Sequence, residues 1–133
     1  MTDKLNVLVA YPYCTPDLMD KMKNFPQHKM RFLLDCGAFT AWQTGKKIEL
    51  DDYCKFVETC NPKPWRYFSL DVIGDAEKTA KNFEIMLERG FKPVPIYTPG
   101  EDKAAIDYFY SKSDVVGFGG INAFMGKKRR GYV

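Results

Sequence analysis

The sequence has little of what metal sites, membrane spans and dinucleotide-binding folds require. It contains one histidine, His28, and four cysteines without Cys-x-x-Cys spacing, so we expect no metal site and no cofactor. No apolar stretch approaches the roughly 18 to 20 residues of a membrane-spanning helix, and the first residues do not resemble a signal peptide. No Gly-x-Gly-x-x-Gly turn follows the first predicted strand, so a dinucleotide-binding fold has no support. We therefore expect a cytoplasmic protein that does not bind membranes.

The composition is that of a globular protein. The chain has 133 residues, of which 45% are hydrophobic and 15% aromatic, and this is enough for one domain, residues 1–133, with a real core. The net charge of +3 is mild, and much of it comes from the basic run at 127–130. Such a run either contacts phosphates or is a solvated tail.

Strand-like runs alternate with helix patterns along the chain. The predicted strands are 5–10, 31–35, 66–71, 92–98 and 114–120. Four helices are predicted. The first two follow Thr15 and Asp51, which are their N-caps. The third runs from the N-cap Asp75 to Gly90, and the fourth covers 101–112. The segment between the second strand and Asp51 is predicted to be a loop. This alternation indicates a parallel α/β sheet with right-handed crossovers.

Five βα units fit two architectures. One is an open doubly wound sheet, and the other is the first part of a (βα)8 barrel, a fold of about 250 residues. Asp35 and Asp71 end the second and third predicted strands, and in a barrel this end of the strands carries the catalytic and binding side chains. Either carboxylate has a plainer alternative role, because an aspartate before glycine often caps a turn.

Four segments in order resemble the tRNA-guanine transglycosylase superfamily: LLDCGAFTAW, YFSLDVIGD, GFKPVPIYTPGED and VVGFGGI. The likeness is to the DNA-directed branch of phages and bacterial islands, whose members insert 7-deazaguanine bases into DNA. The family signature Asp-Ser-Gly-Ala-Phe reads here Asp35-Cys36-Gly37-Ala38-Phe39, with cysteine in place of serine. The segment GKKIELDDY after it is also similar to the pattern of that branch. The resemblance extends from about residue 30 to residue 121.

The resemblance implies a fold and a function. The fold is a partial (βα)8 barrel of about five units, and the function is exchange of guanine for a 7-deazaguanine base in nucleic acid, DNA more than tRNA. Asp35 is then the catalytic residue, which contacts the base and moves protons. The implied base-binding residues are Asp71, Gly119, Gly120, Phe39 and Thr98.

The family's nucleophilic aspartate and structural zinc site lie in later strands of the barrel. The resemblance therefore implies that a longer native chain, a complementary chain or a second copy completes this part of the barrel. A non-catalytic or split-barrel subunit that binds base or nucleic acid is one alternative function. Another is a Mg²⁺-dependent α/β enzyme that acts on a small phosphorylated substrate through the same two aspartates.

Two smaller expectations concern the residues around these aspartates. Cys36 is expected to be a buried thiol rather than a nucleophile, because no histidine lies near it in the sequence. The glycines Gly117, Gly119 and Gly120 either cradle a phosphate or permit a tight turn.

Overall fold

The structure, a computed structural model, describes residues 3–119. These residues form a mixed α/β fold in which parallel strands alternate with helices. The strands are β1 (Leu5–Ala10), β2 (Met30–Asp35), β3 (Arg66–Tyr67), β4 (Ile96–Tyr97) and β5 (Gly117–Phe118). The helices are α1 (Pro16–Asn24), α2 (Ala38–Thr44), α3 (Leu50–Thr59), α4 (Ala76–Glu88) and α5 (Ala104–Lys112). None of them is long and apolar enough to cross a membrane.

The strands pair in the order in which they occur in the chain. β1 pairs with β2 along its whole length, with Leu5 opposite Met30 and Ala10 opposite Asp35. β3 continues this sheet on the other side of β2, and β4 pairs separately with β5. A single parallel bridge between Phe68 and Val94 links the two sheets.

The last three strands are much shorter than predicted. The predicted strand 66–71 pairs regularly only at Arg66 and Tyr67, and β4 is reduced to Ile96 and Tyr97. Pro93 and Pro95 explain the short β4, because neither can donate a hydrogen bond to a neighbouring strand. Gly120, the last residue of the fifth predicted strand, lies outside the described residues.

The segment predicted as a loop after β2 contains a helix, α2, and the loop prediction is wrong there. Gly37 and Gly45 bound this helix, with φ angles of 82° and 70°. At Gly37 a side chain is excluded for a second reason, because a Cβ atom would lie 2.2 Å from Cδ of Pro12. A seven-residue helix with no side-chain cap leaves little signal in a sequence.

The helix ends agree with the sequence at two of three predicted caps. The Thr15 hydroxyl accepts a hydrogen bond from the Leu18 amide, and the Asp75 carboxylate accepts one from the Lys78 amide. Asp51 is not a cap, because α3 begins at Leu50 and its N-cap is Glu49. The Asp51 carboxylate instead pairs with Arg89 at 2.8 Å.

The hydrophobic core lies on one face of the larger sheet. Phe32 and Leu34 of β2 are buried there among residues of α1, α3 and α4, which include Met19, Tyr53 and Met86. The other face is not covered in this way by the described residues. Leu8 of β1 is 64% exposed, and Phe118 of β5, in the smaller sheet, is 59% exposed and lines the same cavity as Leu8. We call these the covered face and the open face.

Candidate functional site

A cavity of about 470 Å³ lies at the carboxyl ends of the strands. We call it the aspartate cavity, because it is lined by both Asp35, the last residue of β2, and Asp71, which follows β3. Its other lining residues are apolar or small: Leu8, Cys36, Ala38, Phe39, Phe68, Ile73, Ile96, Gly117, Phe118 and Gly119. Four of the six predicted site residues therefore meet in one place, namely Asp35, Asp71, Phe39 and Gly119.

Asp35 caps a turn and also lines the aspartate cavity. Its Oδ2 atom accepts a hydrogen bond from the Gly37 amide at 3.1 Å, which is the turn-capping role. A carboxylate has a second oxygen, and the described residues give Oδ1 no hydrogen-bond partner. Capping the turn therefore orients the Asp35 side chain and leaves one oxygen for a ligand in the cavity.

Asp71 is held by a side chain that sequence reasoning missed, Thr79 of α4. The Thr79 hydroxyl donates to Asp71 Oδ1 at 2.9 Å and accepts from the Val72 amide at 2.8 Å. Thr79 is only 1% exposed. Its position on the buried side of α4, one turn after the Asp75 cap, is the signal that could have identified it.

The protonation of Asp71 differs from that of an ordinary aspartate. Burial raises the pKa of its carboxyl group, the hydrogen bond from Thr79 opposes this, and the negative charge of Asp35 raises the pKa further. A carboxyl group with a raised pKa is suited to take up and release a proton. The raised pKa is compatible with proton transfer as well as with the base-reading role that the resemblance implied.

Gly119 contributes space to the aspartate cavity. A Cβ atom at this position would lie 2.4 Å from Cγ2 of Ile96 and 3.0 Å from Oδ2 of Asp71. The Gly119 amide donates to the Tyr97 carbonyl at 2.9 Å, so it takes part in strand pairing instead of facing a ligand. The glycine thus lets the end of β5 lie directly against Asp71.

Aromatic rings form much of the remaining wall. Phe39 lines the cavity as predicted, and two further phenylalanines, Phe68 and Phe118, were missed. Phe118 stacks on Tyr97 with ring centroids 6.0 Å apart and an interplanar angle of 20°. Phe118 stands between Gly117 and Gly119 in the sequence.

Thr98 does not line this cavity. Its amide donates to the Glu101 carboxylate at 3.1 Å, within the turn between β4 and α5. Its hydroxyl is buried and has no hydrogen-bond partner among residues 3–119. The sixth predicted residue, Gly120, lies outside the described residues.

Cys36 is buried, as expected. It is 2% exposed, and its sulfur accepts a hydrogen bond from the Asp71 amide at 3.5 Å. Burial raises the pKa of the Cys36 thiol to about 12, and the charge on Asp35 adds to this effect. The reactive thiolate form is therefore scarce at neutral pH, which excludes Cys36 as a ready nucleophile.

A second cavity of about 290 Å³ adjoins the first and shares Asp71 with it. We call it the lysine cavity, because Lys46, Lys47 and Lys78 stand around it. Trp42 also lines it, together with the side chain of Asn82.

The described part of the chain holds no group of three or more His, Cys, Asp or Glu side chains that could bind a metal ion. No family model, curated protein or solved structure matches this chain.

Proposed function

We propose that the chain provides the base pocket of a transglycosylase-like protein of nucleic-acid modification. Its reaction would exchange guanine for a 7-deazaguanine base, in DNA more than in tRNA. The observation that carries this proposal is that Asp35 and Asp71 line one cavity together with the rings of Phe39, Phe68 and Phe118.

The cavity matches the chemistry of a guanine-type base. Such a base presents an N–H group and an exocyclic amine on one edge, and a carboxylate can accept hydrogen bonds from both. A well-placed pair of this kind is worth roughly 1 to 3 kcal/mol of discrimination. Stacking on an aromatic ring adds about 1 to 3 kcal/mol per base. The base must leave the helix to reach such a pocket.

The strand order supports a partial barrel. Each strand pairs with or bridges to its neighbour in sequence, from β1 to β5. This is the order of a (βα)8 barrel, whereas a doubly wound sheet reverses its order at a switch point. We propose that the described residues form about five units of such a barrel, which places the cavity where barrels bind their ligands.

Base exchange divides the work between these carboxylates and a nucleophile. We propose that Asp35 contacts the base and moves a proton on it, while Asp71 reads the edge of the base. The covalent step needs a separate carboxylate that attacks C1′ of the sugar, and none of the other residues lining the aspartate cavity supplies one.

The open face favours a second candidate, a base-binding subunit of a split barrel. Leu8 and Phe118 are large apolar side chains that stay more than half exposed there. A partner chain or second copy packed on this face would bury them and could bring the nucleophile. The Mg²⁺-dependent alternative would use the same two carboxylates, but the phenylalanine rings that line the cavity favour a base over a small phosphorylated substrate.

A calorimetric titration with 7-cyano- and 7-aminomethyl-7-deazaguanine tests the proposal. We expect the wild-type chain to bind, and we expect Asp35→Asn and Asp71→Asn to weaken binding by about tenfold or more, since roughly 1.4 kcal/mol is tenfold. Asp20→Asn, an exposed change on α1, is the matched control and should bind like wild type. Absence of binding by a folded wild-type chain would contradict the proposal.

An exchange assay separates the two candidates. Release of labelled guanine from an oligonucleotide by the chain alone would favour the enzyme. Base binding without exchange, followed by exchange after a complementary chain is added, would favour the subunit.

A further inference from the structure

We propose that the lysine cavity binds the nucleotide next to the base that occupies the aspartate cavity. This inference rests on the proposed function, because it assigns the path of the nucleic-acid strand across the same edge of the sheet. It also identifies the ligand class of a cavity that base recognition does not use.

The two cavities are neighbours with a common wall. Asp71 lines both of them. Its Oδ1 atom is held by Thr79, and its Oδ2 atom lies towards Gly119, on the side of the aspartate cavity. A ligand group in the lysine cavity would therefore lie directly beside a base that contacts Asp71.

The floor and side of the lysine cavity suit a nucleobase. Leu70 and Ile73 provide apolar surface, and the Asn82 amide group donates to the Leu70 carbonyl at 3.2 Å, which fixes its orientation. The ring of Trp42 lines the cavity and is 50% exposed. Exposed aromatic rings of this kind stack bases without regard to sequence.

The rim of the lysine cavity suits a phosphate. Lys46 and Lys47 of the α2–α3 connection and Lys78 of α4 are exposed, and they line the cavity together with Glu49. Glu49 Oε1 lies 3.8 Å from Lys47 Nζ, but both side chains are exposed. An ion pair between exposed side chains contributes little to stability. An apolar floor with an aromatic ring and a cationic rim matches a nucleotide, because its phosphate offers these lysines an anionic group that a free base lacks.

Binding of a short single-stranded DNA oligonucleotide, followed by fluorescence anisotropy at several salt concentrations, tests this inference. The test variant is the triple change Lys46→Gln, Lys47→Gln and Lys78→Gln. The control variant carries Lys23→Gln, Lys55→Gln and Lys81→Gln, which are exposed lysines outside the cavity. Both variants lose the same charge, so a general electrostatic effect would weaken them equally.

We expect the test variant to bind the oligonucleotide at least tenfold more weakly than the control variant. The slope of log K against log salt should also become shallower by about 0.7, which is the contribution of one phosphate contact on a single strand. Trp42→Ala should weaken binding by about tenfold through lost stacking. Equal binding by the two triple variants, or equal loss in both, would overturn the inference.

Titration of the same triple variants with the free 7-deazaguanine base keeps the two proposals apart. Unchanged base binding with weakened oligonucleotide binding supports both. If the base binds but the oligonucleotide affinity does not depend on the cavity lysines, the lysine-cavity inference alone is overturned. Lysine-dependent oligonucleotide binding without base binding supports the nucleotide site and counts against the base pocket.

Discussion

The two faces of β2 are built for different purposes. Met30, Phe32 and Leu34 point to the covered face, where each is nearly inaccessible. Arg31, Leu33 and Asp35 alternate with them and are only partly buried. The same six residues thus hold the fold together on one side and present a carboxylate to a cavity on the other.

This contrast predicts which substitutions should change stability and which should change ligand binding. The free energy of unfolding should depend mainly on the covered face, because buried apolar surface dominates stability. Ligand binding should depend mainly on the open face and on the carboxyl ends of the strands.

Leu34→Ala and Leu8→Ala are a matched pair on opposite faces. Leu34 is completely buried and Leu8 is 64% exposed, so we expect the first change to lower the free energy of unfolding by about 2 to 5 kcal/mol. The second should change it by about 0.5 kcal/mol or less. Urea unfolding monitored by circular dichroism measures both. Equal losses would mean that the open face is also packed, for example against another chain.

Gly37→Ala tests the join between β2 and α2. The new methyl group would meet the Pro12 ring at 2.2 Å and would also strain a residue with φ of 82°, so we expect a loss of about 2 to 4 kcal/mol. Gly45→Ala at the other end of α2 has a similar φ but open space around it. That control should cost only about 1 to 2 kcal/mol. Similar costs at the two glycines in urea unfolding would argue against the Pro12 contact.

Thr79→Val examines the buried support of Asp71. Valine keeps the shape of threonine but removes the hydroxyl group that donates to Asp71 and accepts from the Val72 amide. We expect a loss of about 1 to 3 kcal/mol in unfolding free energy, because buried polar groups are left unpaired. Thr59→Val, where the hydroxyl group bonds at an exposed position, should change stability by about 0.5 kcal/mol or less. An unchanged free energy of unfolding in Thr79→Val would contradict the assigned hydrogen bonds.

The pH dependence of stability sharpens the contrast between Asp71 and an exposed aspartate. The pKa of Asp71 is raised by burial, so its contribution to stability is fully present below its unfolded pKa of 3.8 and is lost as pH rises through the raised folded value. Relative to wild type, Asp71→Asn should therefore gain stability as pH rises above about 3.8.

Asp114 provides the control of opposite sign. Its hydrogen bond with Arg66 lowers the pKa of this exposed carboxyl group, so its small contribution is present above its unfolded pKa and is lost as pH falls through the folded value. Urea unfolding at several pH values compares wild type with Asp71→Asn and Asp114→Asn. Parallel pH profiles for the two variants would contradict both assignments.

Local sequence patterns predicted the elements that depend on local physics. The N-caps at Thr15 and Asp75 follow from side-chain type and from their position before the helical segments. The placement of Asp35 and Asp71 at one edge follows from parallel strands, and four of the predicted site residues do meet in one cavity.

The features that were missed depend on contacts distant in sequence. Thr79 is polar and helical, and only its distance from Asp71 reveals why it is buried. The short β3 depends on its register with β2, which ends where Tyr67 lies opposite Leu34. The helix α2 depends on two glycines and on packing of Gly37 against Pro12. A reading of single segments cannot supply these contacts.

The most direct test of the central claim is an NMR titration of the ¹⁵N-labelled chain with 7-cyano-7-deazaguanine. If the open face is the binding face, the largest amide shift changes should fall on Asp35–Phe39, Phe68–Asp71 and Gly117–Gly119, while the amides of α1 and the covered core stay unchanged. Shift changes confined to the opposite edge, around Trp65 and Asp114, or no changes at saturating base, would contradict the account.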